Sequence, residues 1–289
     1  MHAEVKSNVP TLWHNSGTLL TEPGRASPAR DVAPAPPLPR VADGRKPLPS
    51  RPLVIRIGKH LRRLIDPIIA ASSLVPNGPV LDVRGFGWTA ELRAHWRAVR
   101  DEAVAVALDG EAAPPLTAIS PDQQAIAAPG ELRSFFLQAY DYRIEENLAR
   151  CPQTAALVAA IPQLHSALFS ILAPGTHLPA RRGVTKGLIT CHLGLIVPRD
   201  GDARMKIGDR IVRWAEGETL VFDDTYPHEI WNETGGTRMV LSIQFRRPLR
   251  QPGRLIADLF LDAVRRSPFV QEARANLRRW NDAIRRRDI

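Results

Sequence analysis

Seven short segments of strand-like composition follow one another between residues 167 and 245, and no helical pattern interrupts them. Turn signals rich in Gly, Asp and Pro separate the segments, for example at residues 198–202 and 234–236. The segments are residues 167–172, 188–197, 203–207, 210–214, 219–222, 228–232 and 237–245. Short strands without crossover helices pair into a sandwich or a barrel, and the sequence therefore predicts a double-sheet jelly roll.

Helical patterns flank this strand region on both sides. Apolar residues recur at helical spacing over residues 54–69 with Arg and Lys between them, which predicts an amphipathic helix. Further helices are predicted over 89–108 and 151–161, and two more follow Pro248, separated by Ser267 and Pro268. We therefore expect a mainly β domain with N-terminal helices over residues 53–250 and a C-terminal helical extension over residues 251–289.

The N-terminal segment, residues 1–52, differs in composition from the rest of the chain. It contains ten of the 26 prolines and shows no apolar periodicity. Such a segment cannot bury enough apolar surface to offset the entropy lost on ordering. We predict a disordered Pro-rich tail, and a polyproline segment that docks a partner is the alternative.

Composition excludes several classes of protein. The chain has 289 residues, of which 44% are hydrophobic and 24% charged, as in ordinary globular proteins. Its longest weakly charged stretch, residues 67–81, is too short for a bilayer and is broken by Pro76 and Pro79. The N-terminal residues lack the basic start and the apolar run of a secretory signal, so we expect none. The two cysteines have no metal-ligand spacing, so we expect a protein of the reducing cytoplasm.

The net charge of +9 comes mainly from arginine, since the chain has only five lysines. Net charge alone is weak support for nucleic-acid binding, and we expect no nucleic-acid partner. Contact of the basic first helix with anionic lipid stays open, although a solvated face is the more common explanation of such a pattern. The sequence does not indicate the oligomeric state.

Four of the eight histidines fall in the strand region, namely His165, His177, His192 and His228. None of these four is followed two residues later by Asp or Glu, the spacing found in many iron sites. His228 begins a strand, where a side chain can point into the mouth of a barrel. Arg238, on the next strand, needs an anionic partner if it is buried. From the residues alone, a ligand site and a satisfied polar network in the core are equally compatible with this pattern.

Longer motifs carry a resemblance to a known family. They are FSILAPGTH at residues 169–177, GVTKGLITCHLGLIVP at 183–198, WAEGETLVFDDTYPHEIWN at 214–232 and Thr237–Arg238, with YRIEEN at 142–147 and Cys151–Pro152 upstream. In order and spacing these segments resemble the aspartyl/asparaginyl β-hydroxylase family over roughly residues 80–250.

The resemblance implies a double-stranded β-helix, a jelly-roll or cupin-like fold, that works as an Fe(II)- and 2-oxoglutarate-dependent dioxygenase. Such an enzyme hydroxylates an unactivated carbon and converts 2-oxoglutarate into succinate and carbon dioxide. It implies that His228 is a metal ligand, that Arg238 binds the 2-oxoglutarate carboxylate, and that Ser170 and His192 complete the cosubstrate pocket. Gly183 stands where related enzymes place a carboxylate. The substrate is expected to be an amino-acid side chain, free or in a peptide, or a similar small molecule, and a lipid fits equally well.

One position departs from the family pattern. The family's first metal histidine aligns with Arg181, whose guanidinium has no lone pair to donate and repels a cation. His177 could reach the metal instead if its loop folds back across about 13 Å of extended chain. A second explanation is a catalytically degenerate binding module in which Arg181 and Arg238 hold an anion. A third is that His228 holds the metal weakly with help from the substrate, or that the change is an isolated loss in a formerly active enzyme.

Two adjacent aspartates, Asp223 and Asp224, precede His228 by a few residues. Consecutive strand residues face opposite ways, so we expect at most one of them to reach the site. Our interpretation is that one supports the His228 loop through hydrogen bonds or orients the imidazole, while the other is solvated.

Overall fold

Eleven strands in two antiparallel sheets form the centre of the part of the chain that the structure describes. The computed structural model describes residues 53–110, 112–119, 128 and 130–286, with side chains from residue 62 onward. The predicted disordered tail, residues 1–52, lies outside these residues. The strands are β1 (Val80–Leu81), β2 (Leu132–Ala139), β3 (Tyr142–Arg143), β4 (Leu164–Leu172), β5 (His177–Arg181), β6 (Leu188–Ile196), β7 (Asp202–Ile207), β8 (Arg210–Arg213), β9 (Thr219–Phe222), β10 (His228–Glu233) and β11 (Arg238–Arg246).

The larger sheet has the strand order β1-β9-β6-β11-β4-β2-β3, and the smaller sheet has the order β5-β10-β7-β8. A buried apolar cluster joins the inner faces of both sheets. Leu172 and Val240 of the larger sheet belong to the same cluster as Leu178, Met205 and Ile230 of the smaller one. Two antiparallel sheets packed face to face confirm the predicted jelly roll, the double-stranded β-helix type of fold.

Helices cover the outer face of the larger sheet. The helices are α1 (Leu53–Ala71), α2 (Thr89–Ala94), α3 (Trp96–Leu108), α4 (Leu116–Ile119), α5 (Glu145–Arg150), α6 (Pro152–Ala159), α7 (Gly253–Arg265) and α8 (Pro268–Arg285). Leu92, Val99 and Val158 from α2, α3 and α6 pack in one cluster with the outward residues Phe169 and Leu193 of the larger sheet. Among the described helices, none has the length and apolar character needed to cross a bilayer.

The structure confirms all seven predicted strands between residues 167 and 245 and adds β5 within that region, which the sequence did not reveal. Strand β5 contains Pro179 and lies at the edge of the smaller sheet, where a residue without a backbone N–H is tolerated. The single helix predicted over residues 89–108 is wrong in one respect, because it breaks at His95 into α2 and α3. At the second predicted break, the Ser267 hydroxyl accepts a hydrogen bond from the Val270 N–H and caps α8.

Candidate functional site

A cavity of about 590 Å³ opens between the two sheets and extends towards α4 and α8. Every second side chain of a strand points inward, and inward side chains from both sheets form the polar end of the cavity. The polar residues that line it include Ser170, Arg181, Thr190, His192, Asp224, His228, Arg238, Ser242 and Gln244. Four of the five residues singled out by sequence, namely Ser170, His192, His228 and Arg238, therefore share one cavity.

Arg238 occupies the inner end of this cavity with only 1% of its surface exposed. Its Nε and one Nη find no hydrogen-bond partner among the described residues, and its guanidinium carbon lies 4.6 Å from the centre of the Trp214 ring. Burial lowers the pKa of Arg238 to about 9, and the positive charge of Arg181 adds to this effect. A buried guanidinium with free N–H groups is a binding group for a carboxylate.

His192 faces the same space and is held by Trp214. The indole Nε1–H of Trp214 donates to Nδ1 of His192 at 3.2 Å, and the Phe222 ring packs edge-on against the imidazole at 4.9 Å. Burial holds the pKa of His192 well below its usual value, and the charges of Arg238 and Arg181 lower it further. Because an indole can only donate, the neutral ring carries its proton on Nε2 and offers a second donor beside Arg238.

His228 has the opposite tautomer. Its Nδ1 lies 3.1 Å from the carbonyl oxygen of Asp224 and 3.2 Å from that of Tyr226. Carbonyl oxygens only accept, so the proton is on Nδ1 and the lone pair is on Nε2. Burial lowers the pKa of His228 to about 4, with a further contribution from Arg181. The ring is therefore neutral at physiological pH, as a metal ligand must be.

Arg181 lies directly across the ladder from His228, as its cross-strand partner between β5 and β10. One of its Nη atoms is buried without a hydrogen-bond partner among the described residues. Burial lowers the pKa of Arg181 to about 10, while Asp224 raises it. The group at this position is thus a second cation inside the cavity, where the family resemblance implies a histidine.

Asp224 is the one of the two adjacent aspartates that lines the cavity. One carboxylate oxygen accepts hydrogen bonds from Thr190 Oγ1 at 3.2 Å and Gln244 Nε2 at 3.1 Å, and the other has no partner among the described residues. Burial raises the pKa of Asp224 to about 6, and Asp223 raises it further. A Cβ atom at Gly183 would overlap this carboxylate. Asp224 therefore fills the space that a side chain at position 183 would take.

Asp223 is also buried, which corrects the expectation that one of the two aspartates is solvated. Its carboxylate forms ion pairs with Arg247 and, at 2.8 Å, with Lys186, and it accepts a hydrogen bond from the Thr225 N–H. Two cations compensate this buried charge. Asp223 thus stabilises the turn that leads to His228. It does not line the cavity.

His177 lies away from the cavity. Its Nε2 is 2.6 Å from a carboxylate oxygen of Glu229, its ring stacks on Trp231 at 5.2 Å, and 49% of its side chain is exposed. In β5, residues 177 and 178 face opposite sides, and Leu178 takes the inward place. The expectation that the loop folds back and brings His177 to a metal is therefore wrong. Within the described ranges, no group of three or more His, Cys, Asp or Glu side chains is arranged to hold a metal ion.

The rest of the cavity has apolar walls and reaches helices outside the sheets. Its lining includes Leu116, Ile119, Phe136, Leu168, Val270, Ala273 and Leu277. Exposed charged residues line it as well, among them Arg143, Glu145 and Arg278. The cavity thus joins a polar end with two arginines to apolar walls and exposed charged residues, a combination that fits an amphiphilic ligand.

Comparison with known proteins agrees with the resemblance seen in the sequence. Residues 93–248 match the family model described as aspartyl/asparaginyl beta-hydroxylase. An ornithine lipid ester-linked acyl 2-hydroxylase of Rhizobium tropici is 38% identical over 71% of this chain and 73% of its own length. The human aspartyl/asparaginyl beta-hydroxylase is 28% identical over 56% of this chain, which spans about a fifth of the length of that relative.

Solved structures also match the chain, at low identity. A prolyl-4-hydroxylase of Pseudomonas putida aligns with 55% of this chain and 88% of its own, at 18% identity and a TM-score of 0.35.

Proposed function

Because this chain belongs to the aspartyl/asparaginyl β-hydroxylase family, we propose that it hydroxylates a carbon of a fatty-acyl chain, with 2-oxoglutarate as cosubstrate and iron(II) as metal. The observation that carries the proposal is the buried guanidinium of Arg238, with two unpartnered nitrogens, beside a cavity that also has apolar walls.

The polar end of the cavity suits a dicarboxylate. Arg238 is a buried cation whose Nε and one Nη have no partner among the described residues, and a carboxylate supplies the charge and the acceptors that such a guanidinium lacks. His192 contributes an Nε2–H donor, and the hydroxyl of Ser170 lines the same wall. A bound dianion also offsets the positive charge that Arg181 and Arg238 place in a buried space.

The donor set for a metal is smaller than the family resemblance implies. Two groups in the cavity have lone pairs that no described residue uses and would be the ligands of iron(II): Nε2 of His228 and one carboxylate oxygen of Asp224. Arg181 cannot be a ligand. We propose that His228 and Asp224 hold the metal and that the carboxylate of Asp224 offsets the charge of Arg181. When bound, iron(II) supplies the activation of dioxygen that the side chains of the protein cannot provide.

The apolar part of the cavity favours an acyl chain over the amino-acid side chain first expected from the family resemblance. Leu116, Phe136, Leu168 and Leu277 give the cavity apolar walls between the larger sheet and helices α4 and α8. The Rhizobium tropici relative, whose name specifies an ester-linked acyl group of a lipid, matches a larger share of this chain than the human relative does. The exposed Arg143 and Arg278 at the rim suit a charged headgroup.

The test is a reconstituted reaction. Purified protein is incubated with iron(II), 2-oxoglutarate and a synthetic ornithine lipid in detergent micelles, and succinate and the lipid mass are measured. We expect succinate release that depends on the lipid, together with a product heavier by one oxygen atom. Tight binding of 2-oxoglutarate without any turnover would instead support the degenerate binding module in which Arg181 and Arg238 hold an anion. Failure to bind 2-oxoglutarate at all would refute both functions.

A further inference from the structure

Exposed apolar side chains are concentrated on one face of the molecule, and we propose that this face docks on the surface of an anionic lipid bilayer. The face is formed by α1 with the residues that follow it up to residue 78, by α7 and by the loop of residues 183–187, and we call it the α1–α7 face. Its exposed apolar residues are Leu64, Ile68, Leu74, Val184, Leu255 and Leu259. The inference deepens the proposed function, since a lipid substrate resides in a bilayer, but its support is independent of that function.

Most of the exposed large apolar side chains of the described residues lie on the α1–α7 face. Eight large apolar side chains are exposed among those that the structure describes, and six of them lie on the α1–α7 face. The other two, Leu108 and Ile211, lie on α3 and β8. Leu64 is 70% exposed and Leu259 is 63% exposed. Single exposed leucines are common on protein surfaces, but a group of this kind marks a contact with another apolar body.

The three segments form one continuous layer. Gly253 at the start of α7 packs against Ser72 at the end of α1, where a Cβ atom would overlap the serine side chain. Arg62 of α1 donates to the carbonyl oxygen of Gly183 at 2.6 Å, and the N–H of Lys186 donates to Asp66 at 2.9 Å. The loop also reaches α7, because a Cβ at Gly187 would lie 3.0 Å from that of Ala257. The exposed residues therefore belong to a single surface.

Helix α7 has two apolar stripes, one buried and one exposed. Gly253, Ala257 and Leu261, spaced four residues apart, face the protein and are buried. Leu255 and Leu259 are spaced in the same way on a second stripe that contacts solvent. The helix is thus apolar on both sides, and its own fold uses only one of them.

The charge of the face favours an anionic bilayer over a second copy of the chain. Residues 62–78, 182–187 and 248–267 contain seven Arg and three Asp residues, besides Lys186, which pairs with the buried Asp223. Arg63, beside Leu64, is exposed and has no ion-pair partner among the described residues. Two such faces would repel each other in a dimer, whereas leucines flanked by arginines match the acyl boundary and the anionic headgroups of a membrane surface.

The test measures vesicle binding by the full chain in the absence of iron and 2-oxoglutarate. Protein is floated with vesicles of phosphatidylcholine alone or with added phosphatidylglycerol, for the native chain and for the Leu255→Ser/Leu259→Ser variant. The matched control is Leu108→Ser/Ile211→Ser, which removes the two exposed apolar residues elsewhere. Far-ultraviolet circular dichroism verifies that each variant is folded.

We expect the native chain to bind the phosphatidylglycerol vesicles, with affinity that falls as salt is added. The α7 variant should lose at least about tenfold in affinity, while the control variant binds like the native chain. Equal losses in both variants, no binding by the native chain, or a native dimer that only the α7 variant abolishes would each overturn the proposal. Turnover of lipid in micelles reports on the proposed function separately, because it does not require docking on a bilayer.

Discussion

Gly183 and Asp224 fit each other: the missing side chain at 183 leaves the space that the Asp224 carboxylate occupies. Their main chains are joined as well, since the Gly183 N–H donates to the Asp224 carbonyl oxygen at 2.7 Å. Glycine is thus required at this position by a steric contact inside the cavity. The same contact fixes the position of the only carboxylate among the polar residues that line the inner end of the described cavity.

Substitution of Gly183 by Ala should destabilise the protein by about 1–3 kcal/mol, the usual cost of overpacking a filled interior. Urea denaturation measures this loss. The Asp224→Ala variant removes the overlapping carboxylate, so the double variant should lose less stability than the sum of the two single variants. Strictly additive losses would show that the overlap at position 183 involves other atoms.

The main features of the fold could be predicted from sequence because they depend on local signals. Alternating apolar residues and Gly-rich turns define the strands around His192 and Arg238, and Ser267–Pro268 marks the start of α8. Strand β5 escaped prediction because Pro179 weakens its pattern, and its pairing with β10 depends on contacts far apart in sequence. Local composition carries no information about such pairing.

The site was predictable only in part. Ser170, His192, His228 and Arg238 line one cavity, but nothing near His177 in the sequence indicated that Trp231 and Glu229 hold it on the outer face. The role of Asp224 depends on the absence of a side chain at Gly183, forty-one residues earlier. Their juxtaposition arises from the packing of the two sheets, which no local motif specifies.

The Arg238→Met variant should lose at least about 100-fold in affinity for 2-oxoglutarate, because charged hydrogen bonds contribute roughly 1.5–3 kcal/mol each. Its free energy of unfolding without ligand should not fall, since the native guanidinium is buried without a counterion. Calorimetric titration and thermal denaturation measure the two quantities. Arg210→Met, an exposed substitution on β8, is the control. Unchanged 2-oxoglutarate affinity in Arg238→Met would remove Arg238 from the binding site.

The Arg181→His variant should bind iron(II) or manganese(II) at least about tenfold more tightly than the native chain, because it replaces a cation with a nitrogen donor across from His228. Metal titration followed by electron paramagnetic resonance of manganese measures the affinity. Arg182→His is the matched control, since Arg182 instead donates to the Thr225 carbonyl. Equal affinity in the native chain and in Arg181→His would show that position 181 does not face the metal.

Both cysteines should be unreactive in the folded protein. Cys151 and Cys191 are free and buried, and burial raises the pKa of each thiol to about 12. At pH 8 a disulfide reagent such as DTNB should therefore modify neither thiol until the protein unfolds, and both thiols should react in urea. A rapid phase corresponding to one thiol in the native state would contradict this. The cytoplasmic location expected from the cysteine content stays a prediction.

The helical end of the cavity should set the length of acyl chain that the protein accepts. Ala273 of α8 lines the cavity and packs with Ile119 and Leu277, so the Ala273→Phe variant should fill the apolar end and leave Arg238 untouched. We expect kcat/KM for a palmitoyl substrate to fall roughly tenfold or more, because each buried methylene contributes about 0.8 kcal/mol. An octanoyl substrate, whose chain is eight carbons shorter, should be turned over at nearly the native rate. Ala275→Phe, on the same helix but outside the cavity lining, is the control. Equal losses for both chain lengths, with 2-oxoglutarate binding intact, would mean that the acyl chain does not run towards α8.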